Sequence, residues 1–222
     1  MIRKTIFSVA HRGASAYAPE NTLTAFEEAI RLEAKAIEFD LRMTADGVMV
    51  ALHDETVDRT TSGTGKVAEL TWDHVRQLGI PSLSESLAAI APYARPVVDV
   101  KIELPWDELI ATLLRFKLEK SVLIVSRETP WLAAIRKVSR DVPLGLAARH
   151  WHEKLPDFAR GLDAEILLLH TEALGPSRVS AAAAQGLETW AWTLNEVSVI
   201  AASAAMGVTG IVTDRPDLIR TR

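Results

Sequence analysis

Short apolar, β-branched runs alternate along the chain with longer segments in which apolar positions recur at helical spacing. Eight runs stand out, near residues 4–10, 36–42, 96–102, 122–126, 142–147, 164–169, 187–193 and 208–213. Most are nearly continuous in apolar residues, the pattern of parallel strands buried on both faces. The helical pattern predicts helices over 21–33, 84–91, 106–119, 129–140, 153–160, 176–185 and 195–206. Ser84 with Glu85, and Asn195 with Glu196, are residue types that open helices. Asp214 before Pro216 reads as the cap of a final helical turn. This alternation predicts an α/β protein with a parallel sheet, and eight strand–helix repeats predict a (β/α)8 TIM barrel. The rival is a doubly wound sheet, but no Gly-x-Gly-x-x-Gly follows the first run.

One segment breaks the rhythm. Residues 43–83, after the second strand, are too long for an ordinary connection, and insertions of this kind are usually functional. Asp46-Gly47 followed by Val48–Asp54 has hairpin character, and Arg59–Gly65 is rich in turn residues. The chain shows no domain boundary, internal repeat or low-complexity tract, so a single domain over 1–222 is expected.

Composition narrows the function classes. The 222 residues are 48% hydrophobic and 24% charged, ordinary for one globular core and unlike a disordered chain. The net charge of −4 provides no footprint for nucleic acid or an anionic membrane. An anionic substrate therefore needs local positive charge or a metal. With no Cys there is no disulfide, thiolate metal site or Cys nucleophile, and nothing about the compartment follows. No apolar run is long enough for a transmembrane helix. The basic-then-apolar start, Met1–Phe7, is too short for a signal sequence and is interrupted by His11-Arg12. These features predict a cytoplasmic protein with no nucleic-acid partner and no stable membrane association. They leave the oligomeric state open, a homo-oligomer included.

Barrel active sites form at the C-terminal ends of the strands, so the polar residues that end each run are the candidates. The first run ends in His11-Arg12. The second carries Glu38-Phe39-Asp40, whose two carboxylates share one strand face and repel unless a cation or proton lies between them. Paired oxygen ligands suit Mg2+ or Ca2+; the alternative is that one carboxylate faces solvent or pairs with Arg42. The third run ends Asp99-Val100-Lys101, which adds a third carboxylate and a cation, or else forms an internal ion pair. Three carboxylates beside an Arg and a Lys suit a phosphate bridged by a divalent metal. Glu103 competes for the ligand role from two residues further out. His53-Asp54 ends the hairpin, and a second imidazole at the same mouth allows one ring to take a proton while the other gives one. Asp54 either orients a ring or starts a turn. Trp190 and Trp192 share one face of the seventh run, one suited to roofing the pocket and one to the core. Ser126-Arg127 and His170 end further runs with a weaker claim on chemistry. His74, His150 and His152 carry no usable pattern.

These residues stand in an order that resembles the glycerophosphodiester phosphodiesterase family. The ordered set is His11-Arg12-Gly13, Pro19-Glu20-Asn21-Thr22, Glu38-Phe39-Asp40, Thr44-Ala45-Asp46-Gly47 and His53-Asp54. It continues with Arg59-Thr60-Thr61, Pro81-Ser82-Leu83, Asp99-Val100-Lys101, Trp192-Thr193-Leu194-Asn195 and Thr213-Asp214-Arg215-Pro216. The resemblance covers essentially the whole chain, with the specific motifs concentrated in the first half. It implies a (β/α)8 barrel, a divalent metal (Mg2+ or Ca2+), and hydrolysis of glycerophosphodiesters to glycerol 3-phosphate and an alcohol. It further implies His11 and His53 as the acid–base pair, and Glu38, Asp40 and Asp99 as metal ligands. Arg12 and Lys101 would contact the phosphate, with Trp192 at the substrate. Three departures stand out. Asp99 stands where the family usually has Glu. Glu33 stands where it usually has Gly. The loop between Gly79 and Pro81 is abbreviated. Two other readings of the same barrel are a lysophospholipid-directed phospholipase and a non-catalytic phosphodiester-binding protein.

Overall fold

The computed structural model describes residues 6–219. The opening of the first apolar run, residues 4 and 5, and the basic start of the chain lie outside the described residues. The chain runs β1 (Phe7–His11), α1 (Leu23–Arg31), β2 (Ala36–Met43), β3 (Met49–Ala51), α2 (Trp72–Gln77), α3 (Leu83–Ile90) and β4 (Arg95–Val100). It continues α4 (Trp106–Arg115), β5 (Leu123–Ser126), α5 (Thr129–Val138), β6 (Leu144–Ala148) and α6 (Leu155–Gly161). The last part is β7 (Ile166–His170), α7 (Pro176–Ala184), β8 (Glu188–Trp192), α8 (Val197–Ala205) and β9 (Gly210–Thr213).

All strands but β3 pair in parallel in the order β1-β9-β8-β7-β6-β5-β4-β2, and a β1–β2 pairing closes the ring. This is the expected (β/α)8 barrel with two differences. The expected hairpin adds β3, antiparallel to the Leu41–Met43 end of β2, beyond the Ala36–Glu38 stretch that pairs with β1. After β9 the described residues hold a 3-10 turn, Pro216–Leu218, in place of an eighth covering helix. The 43–83 insertion has its own small core, in which Val50, Leu52, Val57, Val67, Val75 and Ile80 pack beneath the hairpin and α2.

Helix starts depart from expectation for a local reason. α3 is capped by Ser82, not Ser84. Ser82 Oγ accepts from the Glu85 amide at 3.2 Å while the Glu85 carboxylate accepts from the Ser82 amide at 2.8 Å, satisfying two otherwise orphaned donors at once. α8 begins at Val197 without a side-chain cap, because Asn195 is engaged elsewhere. α1 ends in a left-handed residue, Glu33, at φ 62°. The Glu33 amide donates to Ile30 O at 2.9 Å and the Ala34 amide to Ala29 O at 3.0 Å, the paired closing bonds of a Schellman end built without glycine.

Most of the core lies between the barrel and its helices. A second cluster fills the barrel itself, with Val9, Ala36, Val97, Leu123, Ile166 and Trp190 among its members. Trp190 plugs this interior and meets Phe7 edge-on at 5.3 Å between ring centroids. It fits because β9 begins with glycine: a Cβ on Gly210 would stand 2.5 Å from the indole. Side chains alternate across a strand, so rows that start in this apolar floor climb to the barrel mouth in steps of two residues. Val9 leads to His11, Ala36 to Glu38 and Asp40, Val97 to Asp99 and Lys101, and Val212 to Asp214.

Candidate active site

Register delivers the acidic cluster. In the parallel pairing of β1 with β2, His11 stands beside Glu38, and in that of β2 with β4, Asp40 stands beside Asp99. Neighbouring strands are about 4.8 Å apart, so oxygens of Glu38, Asp40 and Asp99 come within 4.8 Å of one another. Lys101, one residue past β4, sets its ammonium 2.9 Å from Asp40 Oδ1 and also against Asp99. Glu103 is exposed and outside the cluster. Arg42 pairs with neither Glu38 nor Asp40; its Nε donates to the carbonyl of His53 at 2.8 Å.

The loop after β1 is shaped around Glu38. Arg12 adopts φ 57° and Gly13 φ 83°, and the Arg12 amide donates to Glu38 Oε2 at 2.8 Å. Gly13 is required twice over: its φ is positive, and a Cβ there would lie 2.6 Å from Ala25 of α1. Asn21, also left-handed at φ 56°, clamps Asp40. Its Nδ2 donates to Asp40 Oδ2 at 2.8 Å and its Oδ1 accepts from the Asp40 amide at 3.1 Å. Both non-glycine residues carry backbone strain that persists because the site's own bonds hold it.

Both histidines are anchored through Nδ1. His53 Nδ1 lies 2.7 Å from Asp54 Oδ1, so Asp54 orients the ring. Asp54 in turn accepts from Arg59 Nε at 2.5 Å. Arg59 reaches Glu20 at 2.7 and 2.9 Å, and Glu20 accepts from Arg12 at 2.8 Å. This chain of alternating charges ties the insertion to the β1 loop.

His11 Nδ1 lies 2.6 Å from Asp214 Oδ1. Asp214 therefore does not cap the final turn: the 3-10 turn is preceded by Arg215 and has no side-chain cap. Closure of β9 onto β1 brings Asp214 to His11 on the neighbouring strand, where it also accepts from Ser15 Oγ at 3.0 Å and Asn195 Nδ2 at 2.5 Å. Asp214 and Asn195, read from the sequence as helix caps, and Glu20, Asn21 and Arg59, given no individual role there, are thus site residues. Asp214 had a usable signal, since it lies two residues beyond the inward-facing Val212.

The site is charged in layers. Burial raises Glu38, and the Asp40 carboxylate raises it further, so it is pushed up to about 7. Burial also works to raise Asp40, but Lys101 and Arg12 overcome it and hold that carboxyl below its ordinary value. Asp99 is raised, by burial first and by Asp40, against the pull of Lys101. Burial would lower His11, but the bond to Asp214 and the field of Glu38 outweigh it and the imidazole is raised. Asp214 is lowered to about 2, its partners His11, Asn195 and Ser15 overcoming its own burial.

The cavity between these groups has an empty volume of about 560 Å³. His11, Arg12, Glu38, His53, Asp99 and Lys101 line one side, and Asp40 is sealed beneath them. The opposite side is apolar, with Val125, Leu168 and Val212 below Trp192. Trp190 lies in the core and Trp192 on the cavity wall. His170 meets Trp192 edge-on at 4.9 Å, while His74, His150 and His152 are exposed and away from the cavity.

The donor set fits a hard divalent cation. Three carboxylates converge; burial and the neighbouring carboxylates raise Glu38 against the pull of His11 and Lys101, and the clustered ligand atoms are all oxygens. Arg12 lines the same cavity, its Nε buried 3.2 Å from Asp40 Oδ2 without a hydrogen bond, and places a guanidinium charge beside the carboxylates.

Comparison with known proteins identifies the family. The sequence pattern of the glycerophosphoryl diester phosphodiesterase family matches residues 11–124 and 146–218. A glycerophosphodiester phosphodiesterase of Caldanaerobacter subterraneus subsp. tengcongensis is 30% identical over 95% of both chains. One from Bacillus subtilis is 28% identical over 96% of this chain and 85% of its own. The crystal structure of a glycerophosphodiester phosphodiesterase from Agrobacterium tumefaciens superposes with a TM-score of 0.85 at 25% identity, covering 97% of this chain and 99% of that one. With family motifs running from the first strand to the last, the chain belongs to the glycerophosphoryl diester phosphodiesterase family of enzymes.

Proposed function

We propose that this enzyme hydrolyses glycerophosphodiesters to glycerol 3-phosphate and an alcohol, with His11 and His53 as its acid–base pair. The observation that carries the reading is the pair of imidazoles lining one cavity, each with Nδ1 engaged by a carboxylate. Each Nε2 is then the ring nitrogen left for the substrate. Arg12 and Lys101 bind the phosphate, and Trp192 contacts the organic part. Glu38, Asp40 and Asp99 hold a divalent metal, Mg2+ or Ca2+, which when bound offsets the negative charge that otherwise repels a nucleophile.

One imidazole takes the proton of the glycerol 2-hydroxyl as its oxygen attacks phosphorus. As the P–O bond to the alcohol breaks, the other imidazole protonates the departing oxygen. A cyclic phosphate remains, and water opens it with the two roles reversed. Asp214 and Asp54 hold their rings in one tautomer and stabilise each imidazolium as it forms. The arrangement serves a small phosphodiester within one domain. No helix among the described residues is long and apolar enough to cross a membrane, and a cytoplasmic location belongs to the same proposal.

The test is a coupled glycerol 3-phosphate assay over several glycerophosphodiesters and lysophospholipids, with and without chelator. The expected result is chelator-sensitive release from glycerophosphodiesters, cut to a small residual rate by His11→Ala and by His53→Ala with the fold intact. Activity indifferent to chelation would overturn the metal site, and full turnover by His11→Ala would overturn its assignment.

A further inference from the structure

Arg127 stands apart from the other cations of the cavity. Arg12 is paired with Glu20 and Asp40, and Lys101 with Asp40 and Asp99. Arg127, two residues beyond Val125 and just past the end of β5, lines the cavity yet makes no hydrogen bond or ion pair among the described residues. Its guanidinium lies over the Trp192 ring, 5.9 Å from the centroid. The indole is fixed from other directions by His170 at 4.9 Å and by its Nε1 bond to Leu168 O at 3.4 Å.

The position of this cation matters because the cavity is divided. The charged side is fully used by the phosphate, metal and proton-transfer roles proposed above. On the apolar side Arg127 is the charged residue, and it occupies the aromatic face on which a quaternary ammonium would otherwise rest. A substrate arm that enters this half meets an apolar floor, an indole and an unpaired guanidinium with donors to spare. A fixed positive charge there is repelled, whereas hydroxyl or other oxygen acceptors find donors of an exposed guanidinium that no protein group occupies.

We infer that Arg127 selects the departing alcohol, favouring polyol or otherwise oxygen-rich uncharged head groups over cationic choline or ethanolamine. This rests on the proposed glycerophosphodiesterase reading and specifies the substrate class for that site. Arg127 takes no proton and makes no direct contact with the proposed metal ligands, although its charge acts on Asp99 at a distance; it acts as a specificity determinant.

The experiment measures kcat/KM for glycerophosphoglycerol, glycerophosphoinositol, glycerophosphocholine and glycerophosphoethanolamine with the full chain. Wild type is compared with Arg127→Lys, Arg127→Gln and Arg127→Glu, and thermal melts confirm folding of each. The expected result is a wild-type preference for the two polyol substrates that Arg127→Lys largely retains. Arg127→Gln should narrow it, and Arg127→Glu should shift the polyol-to-choline ratio by about tenfold or more, the scale of a charge reversal near 6 Å in a partly screened site. An equal loss on all four substrates would place Arg127 on the shared glycerol phosphate or in the fold and overturn the inference. So would an unchanged ratio. A wild type that cleaves none of the four would overturn the parent reading itself, an outcome distinct from a wild type that cleaves all four without discrimination.

Discussion

Replacing Asp214 with Asn tests the least legible part of the site. Three donors converge on this carboxylate: His11 Nδ1 at 2.6 Å and Ser15 Oγ at 3.0 Å on Oδ1, and Asn195 Nδ2 at 2.5 Å on Oδ2. An ionised carboxylate accepts all three, but an amide has one oxygen. In Asp214→Asn the NH2 group must face either Asn195 or the His11–Ser15 pair, and the charge that stabilises the imidazolium is gone in both cases. A hydrogen bond to a charged group contributes about 1.5–3 kcal/mol, which corresponds to a loss of roughly 10- to 150-fold in kcat/KM. The pH profile should move as well. His11 is raised by Asp214 through their hydrogen bond against burial, so the variant lowers its pKa and the limb governed by His11 shifts to lower pH. The assay is steady-state release of glycerol 3-phosphate across pH, in the wild-type and His11→Ala backgrounds. In His11→Ala the second substitution should cost nothing further, because the two residues act as one unit. An unchanged kcat/KM, or the same fold loss in both backgrounds, would refute the reasoning.

Three further outcomes concern stability. Glu33 holds a left-handed conformation at φ 62° at the end of α1, which costs a non-glycine residue about 1–2 kcal/mol; Glu33→Gly should therefore stabilise by about 0.5–1 kcal/mol once the extra freedom of the unfolded chain is counted, seen as a higher urea midpoint. Gly210→Ala forces a Cβ to 2.5 Å from the Trp190 indole, and overpacking of this kind costs about 1–3 kcal/mol, read as a lower Tm; an unaltered Tm would show that the barrel floor yields freely. Asp214 is lowered to about 2, below the ordinary carboxylate value of about 3.9. Its contribution is present above the ordinary value and lost as pH falls through the lowered one. Asp214→Asn should therefore lose less stability than wild type between about pH 4 and pH 2 in urea titrations.

The barrel was legible in the linear pattern because strands buried on both faces must be apolar along their length, and helices that cover them must carry an apolar stripe. The same logic exposed His11, Glu38, Asp40, Asp99 and Lys101 as polar residues ending apolar runs. It also marked 43–83 as an insertion, although not the separate small core that lets this segment hold His53 at the mouth. Ser84 and Asn195 do not open their helices, because Ser82 exchanges reciprocal bonds with Glu85 while Asn195 is bonded to Thr213 and Asp214, and residue type alone reveals neither. Glu33 adopts the left-handed conformation usually left to glycine, since the turn geometry and not the residue dictates it.

Which distant residues become partners was decided only by the tertiary structure. His11 and Asp214 lie 203 residues apart and meet because β9 pairs with β1 when the barrel closes. Glu20 and Arg59 meet across 39 residues because the insertion folds back over the β1 loop. Arg127 faces Trp192 because inward rows from β5 and β8 rise to one mouth. A strand's own sequence states which residues point inward, but which strand faces which is set by closure, register and shear, and these are properties of the whole ring.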